Sequence, residues 1–195
     1  MINRSQMPEI QAIRNLKLPM PDRYILDSGV PVYVVNKGTQ EIVKIEIVFL
    51  AGRPYEHKRM VSRATASMLK EGTKNFTGAQ IAETMDFYGD TLSMPVNLDT
   101  ASVVLYSLTK NLRSVLPLLS EILSSPTFPQ RELDAYIDRG KQRLSVDLLQ
   151  NDVLAYRKIT EYLFGDEHPY GYNSTAKLYD SLNREDLVQH YESTF

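Results

Sequence analysis

The first strands of the chain are predicted by a simple pattern of apolar and polar residues. Residues 24–26 and 32–35 are short apolar runs on either side of a turn cluster at residues 27–29, which predicts a β-hairpin. A third strand is predicted at residues 42–50, because apolar and polar side chains alternate there and a period of two puts the apolar ones on one face. Residues 1–22 are predicted to be an extended lead-in, since their prolines oppose a helix.

Two helices are predicted after the third strand. Between residues 60 and 71 the apolar side chains recur every three or four positions, which is typical of an amphipathic helix, and Gly72 is placed to end it. A second helix is predicted from an N-cap at Thr77 to Tyr88, and Gly89 follows it as a stop signal.

The second half of the chain is predicted to contain two strands and then mostly helices. The strands cover residues 91–96 and 101–108, and the helices cover residues 112–123, 130–149 and 153–164, with short helical segments ending near Tyr191. Pro117 lies within the first of these helices and is expected to kink or delay it. Strands, helices, strands and helices in this order predict an α+β fold with helices layered on one sheet.

Composition narrows the possible classes of function. A chain of 195 residues with 43% hydrophobic residues is long enough for one domain with a real core. Its 22 basic residues are interspersed with 24 acidic ones, so no basic stripe exists and nucleic-acid binding is not expected. Without cysteine there are no disulfides or thiolate metal sites. No secretory signal is visible and no apolar run is long enough to span a membrane, which predicts a soluble, cytoplasmic protein.

Residues that could carry chemistry are few and scattered. The histidines, His57, His168 and His190, have no spacing at which two of them would hold one metal ion, so each is predicted to be a surface or loop residue. Carboxylate pairs occur at residues 166–167 and 185–186, but nothing in the sequence brings either pair toward a partner. No serine has the setting of a strained nucleophile, and no glycine run could cradle a phosphate. The residues alone indicate an α+β domain without a visible active site.

A longer stretch of the chain resembles the signature region of the insulinase/pitrilysin zinc peptidases. The resemblance begins at residues 48–56, Val-Phe-Leu-Ala-Gly-Arg-Pro-Tyr-Glu, and continues through the predicted helix at 60–71 into Gly72-Thr73. Weaker matches extend it over nearly all of the chain after residue 22: Ile81-Ala82-Glu83, Gly89, Asn111-Leu112, Pro126-Thr127-Phe128, Leu163-Phe164-Gly165, His168-Pro169-Tyr170-Gly171 and residues 182–191.

This resemblance implies an architecture and a division of the chain. It implies a mixed, largely antiparallel sheet with helices layered on one face, the arrangement of one insulinase/pitrilysin lobe. Residues 1–22 are then the lead-in and residues 23–195 the first lobe. The family continues into a further strand and a second lobe, so the chain is expected to be an N-terminal portion of a longer protein.

The same resemblance puts the family's zinc-binding residues on positions that cannot bind zinc. The family's helix carries His-x-x-Glu-His, and alignment on Gly-Thr places the two histidines at Arg63 and Ser67 and the general base at Ala66. The third ligand falls at about Leu144, with Arg143 as the neighbouring possibility. An arginine repels a metal cation and an alanine cannot accept a proton from water, so neither a metal site nor a catalytic residue is predicted in this chain.

The function implied is that of a non-catalytic subunit in a two-chain zinc metallopeptidase. Its expected partners are a zinc-bearing homologous subunit and a peptide substrate, with no cofactor in this chain and no membrane contact. One alternative is a metal-free binding or assembly protein on the same fold. Another is a zinc-dependent endopeptidase with unconventional ligands, which would have to hold the metal near Arg63. For Arg63 itself, a salt bridge with a nearby carboxylate is favoured over a side chain that faces the peptide chamber.

Overall fold

The computed structural model describes residues 18–195 in two compact units, which divide after Gln40. Most of the predicted lead-in lies outside the described residues. In the first unit, β1 (Asp22–Ile25) pairs antiparallel with β2 (Pro31–Val34). The turn between them depends on Gly29, whose φ of 83° lies in the left-handed region that favours glycine. The predicted hairpin is confirmed.

The second unit contains a three-stranded antiparallel sheet. Strands β3 (Ile42–Phe49), β4 (Thr91–Ser93) and β5 (Ala101–Leu108) lie in the order β3-β5-β4, so β5 is central. All pairings among the described strands are antiparallel, which confirms the largely antiparallel sheet. Strand β4 ends earlier than predicted because Pro95 has no N–H to donate, and only an isolated bridge at Val96 follows it.

Helices α1 (Val61–Met68) and α2 (Gly78–Tyr88) follow β3. Helix α2 has the predicted Thr77 cap, which forms a capping box with Gln80, and it ends at Gly89 with φ 68°. Helix α1 is shorter than predicted, and Gly72 does not end it. At Gly72 the chain instead passes close to another segment, since a Cβ there would lie 2.8 Å from Pro129 Cγ.

The remaining helices follow the predicted order. They are α3 (Leu112–Ser124), α4 (Gln130–Asp147), α5 (Asn151–Phe164), α6 (Ala176–Asp180) and α7 (Arg184–Thr194). Helix α3 starts where predicted and continues past Pro117, so the expected delay is wrong. The proline removes one backbone donor, while Val115, Leu119 and Ile122 bury the helix in the core and compensate for that loss.

One apolar core joins the helices to the sheet, with members from α1, α2, β5, α3, α4 and α7. Ile45 and Phe49 of β3 pack against this core, whereas Lys44 and Glu46 on the opposite face are exposed. The helices therefore cover one face of the sheet, as expected for the predicted α+β architecture. None of the helices in residues 18–195 has the length and apolar character needed to cross a membrane.

Candidate functional site

One face of α1 carries the positions at which the family resemblance places two zinc ligands and the base. Arg63 and Ser67 lie one turn apart on this face, with Arg63 exposed and Ser67 half-buried. Ala66 is only 1% exposed and packs with Ala51 and Ala101 in a small apolar cluster. The general-base position is therefore enclosed by apolar side chains.

Tyr136 of α4 lies near Arg63 and Ser67 and was not predicted from the sequence. Burial raises the pKa of Tyr136 to about 12 and the nearby Tyr179 adds to this, whereas the Arg63 guanidinium and the Ser67 hydroxyl lower it. The rings of Tyr136 and Tyr179 are 6.3 Å apart. Gly140 gives Tyr179 its space, because a Cβ there would lie 2.3 Å from that ring. The phenol of Tyr136 is thus a neutral polar group beside the α1 face.

The candidates for the third ligand position differ in their environments. Leu144 is 9% exposed and belongs to the apolar core. The Arg143 side chain is 85% exposed, and its Nε lies 3.8 Å from Asp147 Oδ2. Tyr136 precedes Arg143 by seven residues, or two helical turns, so the two share a side of α4. That spacing is the sequence signal from which Tyr136 could have been found.

The residues at these positions do not fit zinc. Arg63 is permanently cationic, Ala66 and Leu144 have no donor atoms, and a neutral serine hydroxyl is a poor ligand for this ion. Within residues 18–195, no three His, Asp or Glu side chains converge closely enough to hold a metal ion. No chemical step at this face is therefore assigned to a bound metal.

The N-terminal end of α1 is held by the partly buried carboxylate of Glu56. Glu56 accepts hydrogen bonds from the Ser62 N–H at 3.1 Å and from the Tyr172 hydroxyl at 2.7 Å. The Tyr172 oxygen accepts a further bond from the Met60 N–H at 3.2 Å, where the backbone enters the helix at φ 71°. Burial raises the pKa of Glu56, and the hydrogen bonds from Tyr172 and Ser62 oppose this rise. This network fixes the first turn of α1 and so the face that carries Arg63.

Two arginines pack on the ring of Tyr172 and connect its loop to α1. The guanidinium carbons of Arg53 and Arg59 lie 4.4 and 5.5 Å from the ring centroid. Arg53 also donates to the backbone carbonyls of Pro169 and Tyr172, each at 3.1 Å. The loop at residues 165–173, which contributes to the family resemblance, therefore supports the start of α1.

The histidines are distributed differently from the prediction. His57 and His168 are exposed as predicted, but His190 on α7 is 0% exposed, so its predicted surface position is wrong. Its Nε2 lies 3.2 Å from the Ala51 carbonyl oxygen, while Nδ1 has no partner among the described residues. Burial lowers the pKa of His190. The centroids of the His57 and His190 rings are 6.3 Å apart in the fold. The two residues are far apart in sequence, so their spacing along the chain did not predict this contact.

The two carboxylate pairs supply ion pairs rather than a shared acid–base site. Glu167 binds Arg59 at 3.2 Å, and its side chain is 91% exposed. Asp186 binds Lys58 and lies 3.8 Å from His57 Nε2. Both acidic groups join the segment before α1 to later parts of the chain.

Comparisons with solved structures identify the fold. A structure described as a peptidase M16 inactive domain from Pseudomonas fluorescens superposes with a TM-score of 0.82 at 22% identity, covering 88% of this chain and 42% of that chain. A protease from Helicobacter pylori matches with a TM-score of 0.75 at 15% identity, covering 89% and 43%. The periplasmic protease PqqL from Escherichia coli matches with a TM-score of 0.76 at 18% identity, covering 90% and 21%.

These similarities confirm the fold predicted from the sequence. The chain has the fold of the M16 peptidases, the insulinase/pitrilysin class, and spans less than half the length of these solved chains. No protein-family model and no curated protein sequence matches the chain. The assignment of the fold therefore rests on three-dimensional similarity, because at these low sequence identities only the fold is still recognisably shared.

Proposed function

We propose that the chain is a non-catalytic subunit of a two-chain zinc peptidase of the insulinase/pitrilysin family and forms part of its peptide-binding chamber. The observation that carries the proposal is the M16 fold with Arg63, Ala66 and Ser67 on the helix face where the family has its ligands and base. Ala66 supports it further, since this position is buried among apolar side chains and its methyl group cannot accept a proton. The inactive M16 domain among the structural neighbours is consistent with this assignment.

Zinc is expected in a homologous partner subunit, and a peptide is the expected ligand of both chains. Strands β3 and β4 are the edges of the three-stranded sheet, and an extended peptide can add to such an edge through backbone hydrogen bonds. This mode of binding requires no metal from the present chain.

The direct test is to assay this chain and a zinc-bearing M16 homologue from the same organism, separately and mixed. We expect peptide cleavage that is sensitive to a chelator in the mixture and little cleavage by either chain alone. A partner whose general-base glutamate is replaced by glutamine is the control. A partner that is fully active alone would contradict the subunit assignment, as would the absence of a complex in size-exclusion chromatography.

A metal-free assembly protein is the second candidate, and the surface of α5 favours it. Large apolar side chains on this helix are exposed, including Tyr156 at 65%, Tyr162 at 90% and Leu163 at 66%. Exposed apolar clusters of this kind mark surfaces that bind other proteins. A stable complex without any peptidase activity would support this function over the first.

We also propose a cytoplasmic location, with which the absence of cysteine is compatible. One structural neighbour is a periplasmic protease, so cell fractionation with markers for both compartments is the test. Recovery in the periplasmic fraction would overturn this location without affecting the fold.

A further inference from the structure

Arg63 is an exposed cation that the described part of the protein leaves without an acidic partner. Ion pairs with nitrogen–oxygen separations up to 4.0 Å involve other residues, and within residues 18–195 none includes Arg63. The salt bridge favoured from the sequence therefore does not form there. The guanidinium keeps its donors available on the face of α1 that the family uses for chemistry.

The groups around Arg63 are hydroxyl donors rather than anions. Ser67 lies one turn further along α1, and the Tyr136 phenol is protonated at neutral pH, as a tyrosine ordinarily is; burial raises its pKa further, to about 12. Glu56 is the carboxylate close enough to influence Tyr136, and its oxygens already accept hydrogen bonds from Ser62 and Tyr172. The surroundings of Arg63 thus combine a positive charge with neutral donors, and the neighbouring carboxylate is already engaged.

We propose that Arg63, together with the hydroxyls of Ser67 and Tyr136, binds a carboxylate group of a peptide ligand. A guanidinium presents a planar fork of N–H donors that matches the two oxygens of a carboxylate. Ser67 lies one turn from Arg63 on α1, and the Tyr136 phenol interacts with both side chains, which puts the three groups within reach of one anion. This inference deepens the proposed function and rests on it for one point, that the ligand is a peptide. The carboxylate belongs either to the C terminus of the peptide or to an Asp or Glu side chain.

The test is an NMR titration of the chain alone with three N-acetylated alanine peptides of equal length. One has a free C-terminal carboxylate, one is amidated, and one is amidated but carries a central glutamate. We expect the carboxylate peptides to bind more tightly than the neutral one, and the better of the two identifies the source of the group. Arg63→Gln is expected to weaken that binding about tenfold, which corresponds to about 1.4 kcal/mol.

Two further variants make the test specific to Arg63. Arg113→Gln removes the same charge from an exposed arginine on α3 and is expected to change the affinity less than about twofold, as a distant surface charge does. Arg63→Lys keeps the charge but loses the fork, so its affinity should lie between wild type and Arg63→Gln. Equal effects of Arg63→Gln and Arg113→Gln would overturn the site, as would equal binding of all three peptides or binding of none.

This experiment distinguishes failure of the site from failure of the proposed function. If the carboxylate preference is missing while the mixed subunits still cleave peptides, the site is wrong and the subunit function stands. If the preference is present while no zinc-bearing partner gives activity, the subunit function fails and the chain remains a carboxylate-binding protein.

Discussion

The hydrogen bonds around Tyr172 make a quantitative prediction about the stability of α1. Tyr172→Phe removes the hydroxyl that donates to Glu56 and accepts from the Met60 N–H, but it keeps the ring on which Arg53 and Arg59 pack. A hydrogen bond to a charged group contributes about 1.5–3 kcal/mol, and a buried N–H left without a partner costs about 1–3 kcal/mol. Met60 is 4% exposed, so water cannot replace the lost acceptor. We expect the variant to lose about 3 kcal/mol, a large part of the typical stability of about 5–15 kcal/mol for a domain.

Urea denaturation followed by circular dichroism measures this loss. With an m-value of about 2 kcal/mol/M, the midpoint should fall by about 1.5 M while the slope stays unchanged. Tyr156→Phe on α5 is the matched control, since Tyr156 is 65% exposed and its variant should stay within about 0.5 kcal/mol of wild type. If Tyr172→Phe shows no more than this control effect, the network does not stabilise α1 and the reasoning is refuted.

The pH dependence of Glu56 tests the same network independently. Its pKa is raised in the folded protein above the ordinary 4.5, so the folded state binds this proton more tightly than the unfolded chain. The resulting stabilisation is fully present below pH 4.5 and is lost as the pH rises through the raised pKa. Glutamine does not titrate, so the Glu56→Gln variant does not lose stability in this way. The difference in free energy of unfolding, wild type minus variant, should therefore be larger at pH 4 than at pH 7. A difference that grows with pH would contradict the assignment.

Three further outcomes are expected. The purified chain should contain no stoichiometric zinc and cleave no peptide alone; one zinc per chain by metal analysis, with cleavage blocked by a chelator, would contradict this. Combining Arg63→His, Ala66→Glu and Ser67→His should give no robust peptidase and no tight zinc binding in calorimetry, because the third ligand is missing. Ala66→Glu alone should destabilise the protein by about 3 kcal/mol, because it buries a carboxylate. The free energy of unfolding should decrease as the pH drops from 6.5, by at most about 1.4 kcal/mol per pH unit. The reason is that the pKa of His190 is lowered in the folded protein, so the unfolded chain takes up this proton first. His190→Gln should flatten this slope in urea titrations and His168→Gln, in an exposed loop, should not; equal slopes in both variants would contradict the assignment to His190.

Local signals in the sequence predicted most of the secondary structure. The Thr77 cap and the Gly89 stop bound α2 as predicted, because both depend on backbone geometry set by neighbouring residues. Gly72 was predicted wrongly as another stop. Position 72 requires a glycine because a Cβ there would collide with Pro129. Since Pro129 is distant in sequence, no local pattern could distinguish this close approach of two segments from a helix end.

The sequence by itself determined the α+β order of elements, the resemblance to the insulinase/pitrilysin peptidases and the identities of Arg63, Ala66 and Ser67. These follow from periodicity, capping residues and motif spacing, which are properties of neighbouring positions. Only the tertiary structure brought Tyr136 near Arg63, buried His190 against Ala51 and connected Glu56 to Tyr172. Such contacts join residues far apart in the chain, and packing of the helices around the core decides which of them meet.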